Sequence, residues 1–150
     1  TDNLELSILL KKILIEMGVP KKGTAFEDPE IDSIYETYES PRSKYFIVEE
    51  DGIIKGGAGI SQLKNEAFEI CELQKMYFDI SMRGKGIGSI MIEKCLEFAK
   101  KSKFTLCYIE TMPNMLDAQK LYLKYGFEYI DSPMGNTGHS ACPIWMTKSL

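Results

Sequence analysis

Between residues 72 and 89 the chain reads ELQKMYFDISMRGKGIGS, and this stretch restricts the possible folds more than any other. A strand-like apolar segment passes through a short polar turn into Gly84, Gly86 and Gly88, and then directly into an amphipathic helix. That order makes an anion cradle. Glycines let backbone N–H groups approach a ligand closely, and the start of the helix adds unpaired donors and the positive end of its dipole. Arg83 and Lys85 add fixed charge beside those donors, so a phosphorylated cofactor is expected. A dinucleotide fingerprint would need glycine where Ser89 or Met91 stands, and a P-loop would need a Gly-Lys-Ser/Thr run that is absent.

The rest of the chain supplies a consistent frame. Asp2 is placed to cap a first helix over residues 3 to 17, with Leu4, Ile8, Leu9, Lys12, Ile13 and Met17 at helical spacing until Gly18. A loop rich in proline and glycine leads to a second helix over 31 to 38. Strands over 44 to 49 and 53 to 60 flank Glu50-Asp51-Gly52, an acid-then-glycine hairpin signal. Another antiparallel strand spans 68 to 78, and the helix after the glycine turn runs from 88 to 101. Its buried side is read as Ile87, Met91, Cys95 and Phe98. The apolar run 104 to 110 predicts a strand covered on both faces and paired in parallel. A helix from Pro113, with Leu116, Leu121 and Tyr125 as its apolar positions, ends at Gly126. Strands over 127 to 130 and 142 to 148 follow. The expected class is an α+β single domain with a mixed, mostly antiparallel sheet flanked by helices.

Within this frame, Arg83-Gly84-Lys85-Gly86-Ile87-Gly88 fits R-x-x-G-x-G, and the chain resembles the GNAT superfamily of acetyl-CoA-dependent N-acetyltransferases. A second signature stands at the matching distance: the segment from Ala118 to Phe127 is similar to the family's A-x-x-L-Y-x-x-x-G-F helix. The element order fits from the first helix to the last strand, without the strand that usually precedes that helix. The resemblance implies acetyl-CoA as co-substrate, held by Arg83, Gly84, Lys85, Gly86, Ile87, Gly88 and Ser89. It also implies main-chain contacts from Met76, Tyr77 and Phe78, where the central strand parts from its neighbour. Many relatives carry Asn seven residues before the helix tyrosine. Met115 stands there, so the nearest amide, Asn114, is either a cofactor contact or a helix N-cap.

Acetyl transfer needs a base for the amine and a proton for the leaving thiolate. Glu72 is the candidate base, because strand alternation sets it with Phe68, Ile70, Met76 and Phe78 on a desolvating face. Its distance to Arg83 also resembles that of the glutamate base in histone-type members, and ordered water serves in many others. Tyr122, the signature tyrosine, is the candidate acid. His139, the single histidine, is an alternative base or an acceptor contact. Alternation turns Cys71 to the other face, which favours direct transfer over an acetyl-cysteine.

Residues 23 to 39 and 131 to 140 are expected to close over the acceptor. Glu27, Asp28, Glu30, Asp32, Glu36 and Glu39 lie there with Tyr35 and Tyr38; they suit a cationic amine, or else form a solvated helix face. The net charge of −4 argues against nucleic acid as a partner, and no apolar run is long enough to span a bilayer. Four cysteines far apart with one histidine give no expectation of a metal and read as reduced thiols of a cytoplasmic protein. The expected partner is a small-molecule or peptide amine, and a homodimer is open to the chain. The rival readings are a non-catalytic acyl-CoA-binding sensor or interaction module and a module binding NAD or ATP.

Overall fold

The Asp51-Gly52 turn takes positive φ at both residues (53° and 78°), the geometry that a right-twisted two-residue hairpin requires. It joins strand β1 (Lys44–Glu50) to β2 (Ile53–Gln62), which pair antiparallel. The structure is a computed structural model describing residues 2–18, 20, 22–24, 27–139 and 141–150. Helix α1 (Asn3–Glu16) and the single-turn α2 (Ile34–Thr37) precede the hairpin. After it come β3 (Ile70–Phe78), α3 (Ile87–Lys101), β4 (Leu106–Thr111), α4 (Leu116–Lys124), β5 (Glu128–Ile130) and β6 (Ile144–Ser149). The six strands form one sheet in the order β1-β2-β3-β4-β6-β5, antiparallel except where β3 meets β4. The expected α+β class and element order hold.

Two apolar clusters sandwich this sheet. On one face α3 buries Met91, Ile92, Cys95, Leu96 and Ala99 against Ala58, Ile60, Cys71 and Leu73 of β2 and β3. On the other, Leu6, Leu10 and Leu14 of α1 meet Ile31, Ile34, Tyr38 and Ile54. The glycines of β2 are sized by aromatic neighbours on the second side. A Cβ on Gly57 would come within 2.4 Å of Tyr45, and one on Gly59 within 2.8 Å of Tyr38. Tyrosine rings can therefore lie flat against the strand.

Several local expectations change. Helix α1 buries Leu6, Ser7, Leu10, Ile13 and Leu14 and leaves Leu4 and Ile8 at 76% and 61% exposure. This helix is apolar nearly all round, so periodicity alone does not choose the buried stripe. Asp2 holds the cap position but makes no cap hydrogen bond. The second helix breaks in two, a 3₁₀ turn at Pro29–Asp32 and the α2 turn, because Ser33 leaves helical backbone geometry at φ −140°. Helix α4 starts at Leu116, which is exposed, and buries Gln119 and Tyr122. Phe68 lies outside β3 and is exposed.

Two irregularities of β3 position the site. Lys75 adopts φ 48°, and the register with β2 shifts there, from Gly59↔Gln74 to Gly57↔Tyr77. The tyrosine hydroxyl of Tyr45 donates to the Lys75 carbonyl at 2.8 Å and fixes this bulge. On the other edge, β3 pairs with β4 only from Ile70↔Leu106 to Glu72↔Tyr108. Beyond Glu72 the two strands part.

Candidate active site

The gap between the parted strands opens onto the glycine turn. After β3, a 3₁₀ turn at Ile80–Met82 is capped by Asp79, whose carboxylate accepts from the Ser81 N–H at 2.9 Å. Gly84 and Gly86 then take φ 78° and 73°, and Gly86 is the N-cap of α3 without a side-chain hydrogen bond. A Cβ on either would meet nothing within 4 Å, whereas one on Gly88 would reach Leu121 at 2.9 Å. The first two glycines thus serve the turn and the open space before it; the third lets α3 approach α4.

In front of this turn lies a cleft of about 600 Å³. Met76, Tyr77 and Phe78 of β3, Arg83, Gly84, Gly86, Ile87, Gly88 and Ser89 of the turn, and Asn114 and Tyr122 all line it. Lys85 stands outside, its ammonium donating to Glu50 at 3.3 Å. Asn114 is not the N-cap: Met115 holds that position, and the Asn114 amide donates to the Met17 carbonyl at 3.1 Å. The amide ties the end of α1 to the approach of α4. Tyr122 is 5% exposed and packs on Phe127 at 5.8 Å between ring centroids. Burial raises its phenol well above the ordinary range, so the hydroxyl keeps its proton.

A smaller cavity of about 60 Å³ adjoins the cleft and shares Met17, Met76, Tyr77, Met115, Ala118 and Tyr122 with it. Its polar wall contains Glu72, Gln74, Lys75, Glu110 and His139. Glu72 is 5% exposed, as its candidate role requires, but the reason differs from simple alternation. The bulge at Lys75 reverses the phase of β3. Met76 and Phe78 pack with Cys71 and Leu73 in the α3 cluster, while Tyr77 joins the α1 cluster. Glu72 therefore shares its side of the sheet with Gln74 and Tyr77. Cys71 does face away from Glu72, and all four cysteines are free and buried.

Around Glu72 the charges are tightly arranged. Burial pushes its carboxyl up to about 7, against a hydrogen bond from Gln74 and the attraction of His139 and Lys75, with Glu110 adding to the rise. The Gln74 amide donates to Glu72 Oε1 at 2.7 Å, and Tyr38 holds that amide by donating to Gln74 Oε1 at 2.5 Å. Asp28 Oδ2 accepts from both Lys75 Nζ at 3.1 Å and His139 Nε2 at 2.7 Å. Burial alone would raise Asp28, but those two cations hold it below the ordinary carboxylate value. Glu110 accepts from Tyr108 at 2.7 Å and Thr137 at 2.5 Å, and its Oε1 lies 3.5 Å from His139 Nδ1. Burial would lower His139, yet the bonds to Asp28 and Glu110 win and lift it to about 9. At neutral pH it is an imidazolium with both N–H groups turned to carboxylates.

In that form His139 has no free ring lone pair with which to accept a proton. One ligand-type atom from each of Glu72, Glu110 and His139 lies within 4.8 Å of the others, and the His139 ring nitrogens are directed at Asp28 and Glu110. The acids of residues 23 to 39 mostly serve the surface. Glu30 pairs with Lys64, Asp32 with Lys11, Glu36 with the Asn3 amide, and Glu27 accepts from the Gly23 N–H. Asp28 alone among these turns into the network. Ala25, Phe26 and Ser140 of the expected acceptor segments lie outside the described residues. Sequence reasoning missed Lys75, Glu110, Gln74 and Tyr108. A lysine inside one strand-like run and a glutamate closing another were the available signals.

Residues 12–127 match the Acetyltransferase (GNAT) family. The uncharacterized N-acetyltransferase YjgM of Escherichia coli strain K12 is 37% identical over 150 residues, covering 99% of this chain and 90% of the relative. Among solved structures, a GNAT-family acetyltransferase of Staphylococcus aureus Mu50 superposes with a TM-score of 0.86 at 20% identity, over 99% of this chain and 92% of that one. The acetyltransferase yncA of Salmonella typhimurium, solved with its cofactor acetyl-CoA, gives 0.77 at 14% identity over 99% and 88%. These neighbours share the fold. Matched along most of its length in sequence and throughout in fold, the chain belongs to the GNAT family of acetyltransferases.

Proposed function

We propose that the protein is an N-acetyltransferase that passes the acetyl group of acetyl-CoA directly to a primary amine within a ternary complex. The observation that carries this reading is the junction of two spaces. The large cleft and the small cavity meet at Met76, Tyr77 and Tyr122, so a thioester in one would face an amine in the other. The acetyl-CoA bound in the Salmonella fold neighbour supports the donor assignment.

Each residue then has a role. Backbone N–H groups from Gly84 to Ser89 and the start of α3 cradle the pyrophosphate, with Arg83 beside them. Lys85 reaches a phosphate only by leaving Glu50, an exposed pair that holds it weakly. Met76, Tyr77 and Phe78 have no β4 partner, so their main-chain groups can pair with the amide-bearing arm of the cofactor. Asn114 borders the cofactor while staying on Met17.

In the reaction, the bound ammonium gives one proton to Glu72, and the freed lone pair attacks the thioester carbonyl. The N–C bond forms, the C–S bond breaks, and the departing thiolate takes the Tyr122 proton. The nitrogen's second proton returns to the tyrosinate, and Glu72 sheds the first to solvent. The buried phenol suits this role because it donates only to a strong base such as a thiolate.

The test is free-thiol release from acetyl-CoA with a panel of primary amines, using NAD and ATP binding as controls. Release with an amine, at a rate that Tyr122→Phe lowers about tenfold or more with acetyl-CoA affinity kept, supports the assignment. Binding without release on any amine favours a non-catalytic acyl-CoA sensor, and a parental rate in Tyr122→Phe removes the acid role.

A further inference from the structure

The small cavity is specific about charge. Its volume of about 60 Å³ amounts to roughly two liquid-water volumes, enough for an ammonium head with a methylene or two. Glu72, Glu110, Lys75 and His139 line it, and Asp28 stands behind the two cations, so the network holds three carboxylates against two cations. Both cations are spent. They share one oxygen of Asp28, and His139 also faces Glu110.

The carboxylates are not equally spent. Glu110 has a hydroxyl donor on each oxygen, from Thr137 and Tyr108. Glu72 receives Gln74 on Oε1, and among the described residues nothing donates to its Oε2. Among the described residues the open acceptor in the wall is therefore anionic, and none of the cations lining the cavity is left to receive an acceptor's carboxylate. Beyond the charged wall the lining is aliphatic and thioether, from Leu73, Ile109, Met112, Met115 and Ala118.

We infer that the acceptor is a slender alkylammonium, a terminal primary amine on an unbranched methylene stem with no carboxylate or amide beside it. One positive charge beside Glu72 neutralises the network's excess of one carboxylate, and the stem lies against the apolar wall. An α-amino acid would bring its carboxylate to Glu72 and Glu110, and a peptide's α-amine would bring a branched carbon and an unpartnered carbonyl. Leaving such groups buried and unpaired is heavily penalised. The inference rests on the acetyl-transfer reading and narrows its substrate.

The experiment measures kcat/KM for thiol release by the whole chain at saturating acetyl-CoA with n-butylamine, L-alaninamide and L-aspartate. n-Butylamine should lead both others by about tenfold or more. In Asp28→Asn, which releases Lys75 and His139 from their shared counter-ion, the lead over L-aspartate should shrink, with acetyl-CoA affinity reporting that the variant is folded. If L-aspartate or L-alaninamide is used as well as n-butylamine, the inference is wrong while acetyl transfer stands. If none of the three releases thiol while another amine of the panel does, the inference is wrong and acetyl transfer stands; no release on any amine of the panel removes acetyl transfer itself.

Discussion

A carboxyl group that titrates near neutrality must be shielded from water without being captured by a cation, and Glu72 meets both conditions. Lys75 and His139 are near enough to pull its pKa down, but Asp28 occupies them first. The group therefore sits at about 7, in range to accept a proton at working pH. In the free enzyme, kcat/KM should rise with pH through a limb near 7, since only ionised Glu72 can take the proton. Glu72→Gln should remove the limb and lower kcat by about 100-fold or more, with acetyl-CoA affinity unchanged. A limb that persists in that variant would mean that a group other than Glu72 titrates there. Glu72 was legible as a buried acid in a strand, but its neighbours were not. A non-glycine residue at φ 48° carries no sequence mark, and alternation fails from Lys75 onwards. His139 was visible only as a lone histidine, because its partner Asp28 lies 111 positions away.

At the scale of elements, the bulge in β3 and the parting from β4 do the positioning. The bulge brings Lys75 towards Asp28, and the parting leaves the backbone from Met76 to Phe78 without a strand partner. Helix α1 supports the acceptor side through Leu6, Leu10 and Leu14, each fully buried. Leu10→Ala should cost about 2–5 kcal/mol in unfolding free energy by chemical denaturation, and Leu4→Ala, on the exposed side, under about 0.5 kcal/mol. Equal losses would contradict the buried stripe described here. Elements were legible where local chemistry dictates them. The Asp51-Gly52 hairpin, the glycine turn and α3 all emerged close to their observed limits. The α1 stripe and the broken second helix were not, because an all-round apolar helix needs its tertiary partners to choose a face.

Over the whole molecule, the buried network ties stability to pH. His139 is raised from 6.5 to about 9, so its stabilising charge is fully present below 6.5 and lost as pH rises through 9. Glu72, also raised, works in the same direction: its contribution is lost as pH rises through about 7. Asp28 is lowered and acts oppositely, losing its contribution as acid protonates it. Unfolding free energy should therefore fall between pH 6.5 and 9 by on the order of 3 kcal/mol, and His139→Asn should flatten that fall. An unchanged slope in the variant would mean that another group titrates. The overall topology was readable because strands, turns and helices follow local pattern. The acceptor network was not, because it assembles residues from four separate stretches.

The most direct measurement is isothermal titration of acetyl-CoA into the parent and into Gly86→Glu. Gly86 faces open space in the cleft, so the glutamate adds bulk and negative charge where the pyrophosphate would lie. Micromolar binding by the parent, weakened at least about 100-fold in a folded variant, is the predicted result. Equal affinity in the two proteins, or no binding by the parent, would contradict the cradle on which the proposed transfer depends.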